Sequence, residues 1–307
     1  MKIAHFADLH INSCVRESNI SETMALFEHA MKNETDHFFI TGDVSHNSDP
    51  EDFEALRRIL EYFGILSSDK VSIVIGNHDI FGGPQKAEDI FTFPQRCRDE
   101  DYDNKVLEFN GYFTELFESA IFLSPNNKYP YAKIINDILI LGINSVDRYS
   151  SMKNPFASNG AVDEEQLNET EKILAEFSEQ AKRKIVLIHH HFNKIKAPSN
   201  NMMHYFWQVV EKQTMKLRNK KNILELFNKY EIDAVFHGHI HENDEYLRKG
   251  IRFINGGGCF NNIKEGEISY NQVDITRKHI KTQIVTFPYS KRKNKRLFEP
   301  LSLQTIS

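Results

Sequence analysis

A four-layer α/β/β/α sandwich, with two mixed sheets packed face to face and helices outside, is the fold class this sequence predicts. Three observations lead there. Apolar strand-length segments alternate with amphipathic helical ones as far as Ile75. Further on, strands follow one another directly, over Ala120–Asn144 and again after Phe236. The apolar strands also end in Asp, Asn or His, where open α/β sheets place their ligands.

The elements follow from periodicity and punctuation. Lys2–Ala7 is a short apolar strand. Ser21–Met31 is a helix with Met24, Leu26, Phe27 and Ala30 near helical spacing and Ser21 as N-cap. His37–Thr41 is a second strand, and Pro50–Tyr62 is a helix that opens, as helices favour, with Pro and acidic residues. Val71–Ile75 is a third strand, β-branched except at Ser72. Residues 80–110, with Gly82, Gly83, two prolines and the acidic run Asp99–Asp103, read as a long loop or lid with a short helix. Ala120–Leu123, Ala132–Ile135 and Ile138–Asn144 are successive strands, with Asp137 at the turn between the last two. Asp163–Gln180 is an amphipathic helix, Lys184–Ile188 a buried strand, Trp207–Tyr230 mostly helical and Asp233–Phe236 a strand. Hairpins and a basic tail complete the chain. One catalytic domain over residues 1–285 and a tail over 286–307 are expected, with 80–110 and 194–207 as substrate-side loops.

Composition narrows the function classes. At 307 residues, 40% hydrophobic and 26% charged, the chain can bury a sizeable core. No stretch approaches the roughly twenty apolar residues of a membrane span. The opening MKIAHFADLH lacks the apolar run of a signal peptide, so a cytoplasmic protein is expected. A net charge of −5 gives no global basic field for nucleic acid. Three widely spaced cysteines, Cys14, Cys97 and Cys259, fit a reducing compartment better than a disulfide framework.

The chemistry lies in five short strings. Asp8-Leu9-His10 ends the first strand, and residues two apart on extended backbone point to one side, so a carboxylate and an imidazole can share an ion. Gly42-Asp43 follows the second strand, with a carboxylate whose two oxygens can bridge two ions. Gly76-Asn77-His78-Asp79 follows the third; a specified tetrapeptide arises by chance only about 0.002 times in such a chain. Asn77 offers an amide oxygen, His78 a proton for catalysis, and Asp79 a carboxylate to orient the His78 ring. His189-His190-His191 ends the strand KIVLI. His189, the first side chain beyond the apolar run, is the expected ligand and His190 the alternative. Gly238-His239-Ile240-His241 repeats the two-apart logic with paired imidazoles.

In this order the strings resemble the calcineurin-like metallophosphoesterase superfamily across residues 8–241. The resemblance implies a dinuclear site. One ion would take Asp8, His10, Asp43 and His241, the other Asp43, Asn77, His189 and His239, with His78 as the catalytic histidine. The cofactors would be two divalent or trivalent ions; imidazole, carboxylate and amide donors without thiolate suit Mn, Fe or Zn. The chain departs from purple acid phosphatases, where a tyrosine binds ferric iron at the position of His46. It resembles the compact bacterial cyclic-nucleotide phosphodiesterases in size and motif spacing, which implies attack on a small phosphodiester by a water activated on the ions, with His78 assisting the leaving group. Repair exonucleases share the five motifs but usually carry a DNA-binding extension, so a nucleic-acid partner is the alternative and is not favoured. A phosphomonoesterase and a non-catalytic scaffold are further alternatives, the scaffold opposed by the complete ligand set. Arg148 and Lys153 are candidates to meet a phosphate, and Met202–Trp207 to form an apolar platform.

Overall fold

The computed structural model describes residues 1–13, 17–84, 89, 91–124, 128–193, 215–260 and 266–289. The Lys194–Trp207 loop with its aromatic run, the basic run Lys291–Arg296 and Cys14 lie outside the described residues. Two mixed sheets face each other. The first has the order β11-β10-β1-β2-β3 and the second β4-β5-β6-β7-β9-β8. The strands are β1 (Lys2–Phe6), β2 (His37–Thr41), β3 (Val71–Val74), β4 (Tyr131–Ile135), β5 (Ile138–Ile143), β6 (Arg183–Ile188), β7 (Ala234–His237), β8 (Glu245–Arg248), β9 (Ile251–Asn255), β10 (Glu267–Ile275) and β11 (Ile280–Pro288). The helices are α1 (Glu17–Lys32), α2 (Pro50–Tyr62), α3 (Asn77–Phe81), α4 (Phe93–Asp99), α5 (Tyr102–Tyr112), α6 (Glu164–Phe177) and α7 (Lys220–Lys229).

Strand alternation builds the layers, because successive side chains leave a strand on opposite faces. Ile138, Ile140, Ile185, Leu187, Ala234 and Phe236 of the second sheet join the cluster shared with the first sheet. Their neighbours Leu139, Leu141, Val186, Ile188 and Val235 pack with Ile173 and Leu174 of α6 and Ile223, Leu224 and Phe227 of α7. On the first sheet, Phe6 and Phe38 turn outward to Phe27 of α1, at ring separations of 4.8 and 5.2 Å. His5 and Phe39 turn inward to Phe236, at 5.2 and 5.1 Å. The expected four-layer sandwich is the observed one. Each fully buried Phe, Leu or Ile contributes roughly 1.5–3 kcal/mol. No helix among the described residues is long and apolar enough to cross a membrane.

β1, β2 and β3 are parallel, as are β5, β6, β7 and β9, which brings their C-terminal ends to common edges. α2 starts where Pro50 predicts, with Asp49 accepting from the Glu51 N–H. α1 begins before Ser21, so Ser21 is interior and not a cap. Tertiary contact holds that early turn: the buried Asn19 amide donates to the His10 carbonyl at 2.9 Å.

Four segments differ from expectation. Where a long loop with one short helix is expected over 80–110, Phe93–Asp99 and Tyr102–Tyr112 form the two helices α4 and α5, because Phe93, Cys97, Val106 and Phe109 are buried and Asp101 caps α5. Residues 120–123 make only an isolated bridge, Ile121 to Ala132. Within the described part of Trp207–Tyr230, helix begins only at Lys220, because Lys216 and Arg218 bond to Gly160 and Asn219 is left-handed at φ 46°. β11 runs three residues into the expected tail: Phe287 pairs with Ile268 and stacks on His29 at 3.9 Å.

Candidate metal centre

The loops that leave the strand ends are hydrogen-bonded to one another. Asp8 N donates to Gly42 O, His10 N to Asp43 O and Ile11 N to Val44 O, which fixes the loop after β1 against the loop after β2. His239 N donates to both Asp8 oxygens, at 2.9 and 3.1 Å, and His78 N to Asp43 Oδ1 at 2.8 Å. Charged acceptors make such bonds among the stronger ones in a protein. Backbone amides thus aim both carboxylates before any ligand arrives. Gly76 is required by close approach: a Cβ there would lie 2.2 Å from Asp43 Oδ1.

Two carboxylate-bearing groups of donors result, each with ligand atoms within 4.8 Å of one another: Asp8, His10, Asp43 and His241; and Asp43, His189 and His239. Asn77 joins the second, its Oδ1 lying 3.1 Å from His189 Nε2. His10 Nε2 and His241 Nε2 are 3.0 Å apart, and His239 Nδ1 is 3.2 Å from His189 Nε2. Asp43 belongs to both groups, so all seven residues expected as ligands converge. The donor set fits two cations. Imidazole nitrogens facing each other at 3 Å, with carboxylate oxygens beside them, are the arrangement a shared ion relieves. His190 turns aside, with Nδ1 2.8 Å from Ser145 Oγ. His237 is buried and pairs with Tyr246 OH at 3.1 Å.

The backbone reaches this arrangement by a route the D-x-H and H-x-H spacings do not suggest. Asp8, His10, Asp43, His239 and His241 have positive φ values of 54°, 43°, 52°, 80° and 49°. Side chains two apart therefore meet through left-handed turns rather than along a pleated strand. Such residues are uncommon outside glycine and collect where structure serves a site.

The role expected of Asp79 needs correction. Its Oδ1 accepts from Ser45 N at 2.9 Å and its Oδ2 from Gly76 N at 2.8 Å. Both oxygens are thus committed to backbone, and the residue ties the loop after β2 to the start of α3. His78 Nδ1 donates instead to the His46 carbonyl at 2.9 Å. A Cβ on Gly83 would lie 2.4 Å from His78 Cε1, so the bare Gly83 backbone closes over the ring. The His46 carbonyl and Gly83 were missed from sequence because neither contact uses a side chain. Arg148 lies 4.4 Å over the Tyr102 ring and pairs with Asp103.

Burial lowers the pKa values of His10, His239 and His241, so their rings stay neutral and ready to bind. Burial acts the same way on His189, but Asp43, 3.3 Å from its Nε2, overrides it and raises the ring to about 9. His189 Nδ1 faces the Thr41 carbonyl at 2.8 Å, leaving Nε2 as the atom where cation and proton compete. Below pH 9 the proton holds the site, so metal affinity should fall as pH falls, by about tenfold per unit where one proton is displaced. Calorimetric manganese titrations in buffers of different ionisation enthalpy should show at least about one proton released per chain at pH 7, because burial also raises the Asp8 carboxyl well above its usual range. Binding without proton release would count against His189 as a ligand.

A model of the calcineurin-like phosphoesterase family matches residues 1–243. No curated protein matches the sequence significantly. Among solved structures, a dimetal phosphatase from Danio rerio is similar at 12% identity and a TM-score of 0.54, over 94% of this chain and 99% of that one. A putative 5′-nucleotidase from Staphylococcus aureus is similar at 12% identity and 0.48, over 97% and 56%. An archaeal phosphodiesterase is similar at 13% identity and 0.38, over 93% and 100%. At 12% identity the likeness to the Danio rerio structure concerns the fold alone.

Proposed function

This chain belongs to the calcineurin-like phosphoesterase family, and we propose that within it the protein hydrolyses a small phosphodiester, a cyclic nucleotide or related diester, with two Mn, Fe or Zn ions at the centre shared by Asp43. The observation that carries the reading is the pair of donor groups joined at Asp43, with the His78 ring beside them, 4.6 Å from that of His10.

Asp8, His10, Asp43 and His241 would hold one cation, and Asp43, Asn77, His189 and His239 the other. Only Asp8 and Asp43 of these ligands are carboxylates, so they would not fully neutralise two divalent ions, and the site would keep a positive surplus for an anionic ester. When bound, such ions neutralise phosphate oxygens and acidify a water. The protein's own contribution to bond cleavage is a proton. The His46 carbonyl holds the Nδ1–H of His78, which leaves Nε2–H to be given to the departing alkoxide. After transfer the ring is the neutral Nδ1–H tautomer, still held by the same carbonyl.

The preference for a small substrate is supported by the use of the chain after His241. Its described residues complete the sheets: β8 and β9 the second, β10 and β11 the first. With the net charge of −5, this gives no basic extension among the described residues on which a duplex would lie. The buried thiols of Cys97 and Cys259, free among the described residues, support a reducing, cytoplasmic setting. The test is manganese-reconstituted protein with cyclic nucleotides, bis(p-nitrophenyl) phosphate, monoesters and single-stranded DNA. Turnover of small diesters should exceed that of monoesters and change little between about 50 and 200 mM salt. DNA cleavage that outruns the small diesters and falls steeply with salt would replace this reading with a nuclease.

A further inference from the structure

A third group of imidazoles sits beside the two donor groups. His10, His46 and His78 each offer a ring nitrogen within 4.8 Å of the others. The His46 ring is 5.5 Å from that of His10 and 5.6 Å from that of His78. All three residues are half-buried, whereas Asp8, Asp43, His189 and His239 are buried. The trio contains no carboxylate.

We propose that His10, His46 and His78 form a third cation site, filled by a borderline-soft divalent ion such as Zn2+ and exclusive of the productive arrangement. Donor chemistry sets the selectivity. Zn2+ is well served by three imidazoles, whereas Mn2+ lies lowest in the affinity order for nitrogen donors and depends more on carboxylate oxygens. Manganese therefore fills the two groups that contain Asp43 and leaves the trio empty. Geometry sets the exclusion. His10 Nε2 already faces His241 Nε2 at 3.0 Å within the first group, so an ion drawn towards His46 competes for that ligand. His78 Nδ1 is committed to the His46 carbonyl, so the nitrogen open to an ion is Nε2, the atom that would carry the leaving-group proton. Zinc in the trio thus weakens the first ion's hold and removes the acid. Manganese activates up to saturation; zinc activates and then, in excess, inhibits.

The inhibitory consequence rests on the proposed hydrolysis, but binding does not, so the two are tested separately. Zn2+ is titrated into manganese-loaded native protein and His46→Gln during bis(p-nitrophenyl) phosphate hydrolysis. Each protein is referred to its own rate in manganese alone. Half-inhibition of the variant should need at least about tenfold more zinc, since loss of even a supporting group at a metal site costs that much affinity. Equal half-inhibition would overturn the proposal. Equilibrium dialysis with Zn2+ alone decides it even if no ester is hydrolysed. The Asp8→Asn/Asp43→Asn variant should keep one zinc ion, and adding His46→Gln should weaken that ion at least about tenfold. Unchanged affinity in the triple variant is the contrary result. Should the carboxylate variants not fold, zinc uptake by manganese-loaded native protein against His46→Gln gives the same comparison.

Discussion

Replacing Asp43 with alanine should reduce bound manganese from two ions per chain to one or none and lower phosphoester turnover at least about a thousandfold. Asp43 is the one side chain common to both carboxylate-bearing groups. Its Oδ2 lies 3.9 Å from His10 Nε2 and 3.3 Å from His189 Nε2, while Oδ1 accepts from the His78 N–H. Under the proposed assignment its removal would take a ligand from each ion and leave imidazoles facing one another with less negative charge between them. A bound cation supplies several kcal/mol of transition-state stabilisation, and each 1.36 kcal/mol is a factor of ten in rate. Burial opposes the charge on Asp43, but His189 and then His78 hold its carboxyl well below the usual range, so it is an anion before metal arrives. Plasma emission spectrometry on dialysed protein measures the stoichiometry, and circular dichroism checks that the variant folds. A folded Asp43→Ala protein that keeps two ions would remove Asp43 from the bridging position.

His78→Ala separates chemistry from metal binding. His78 lies outside both carboxylate-bearing groups, so the variant should retain two ions while kcat falls at least about a hundredfold, as on loss of a general acid. The size of the loss should depend on the leaving group. An alkoxide needs the Nε2 proton, whereas p-nitrophenolate leaves readily without one, so the deficit should shrink on the chromogenic substrate. Metal loss with unchanged activity per bound ion would instead make His78 a ligand.

Much of the fold was legible because its signals are local. Apolar runs such as Ile138–Ile143 bury every residue, and the resulting two-sided strands require cover on both faces. The site was legible in composition, since polar donors after apolar strands have few other uses there. What stayed hidden depends on tertiary contacts. The positive φ of Asp8 or His239 is imposed by hydrogen bonds to Gly42 and to the Asp8 carboxylate, from segments distant in the chain. Asp79 follows His78 directly, yet its oxygens serve Ser45 and Gly76, because two buried N–H groups there have need of an acceptor. α4 and α5 were obscured by glycines, prolines and acidic residues, although Phe93, Phe109 and Asp101 carried the signals of burial and capping. His46 was placed in sequence but without a role; its carbonyl, a group every residue possesses, fixes the His78 ring.

Anomalous diffraction from crystals of the manganese-reconstituted protein locates the bound ions. Two peaks about 3.5–4 Å apart, with the Asp43 carboxylate between them and His241 and His189 on opposite sides, are the predicted result. A single peak, or peaks away from Asp43, would contradict it.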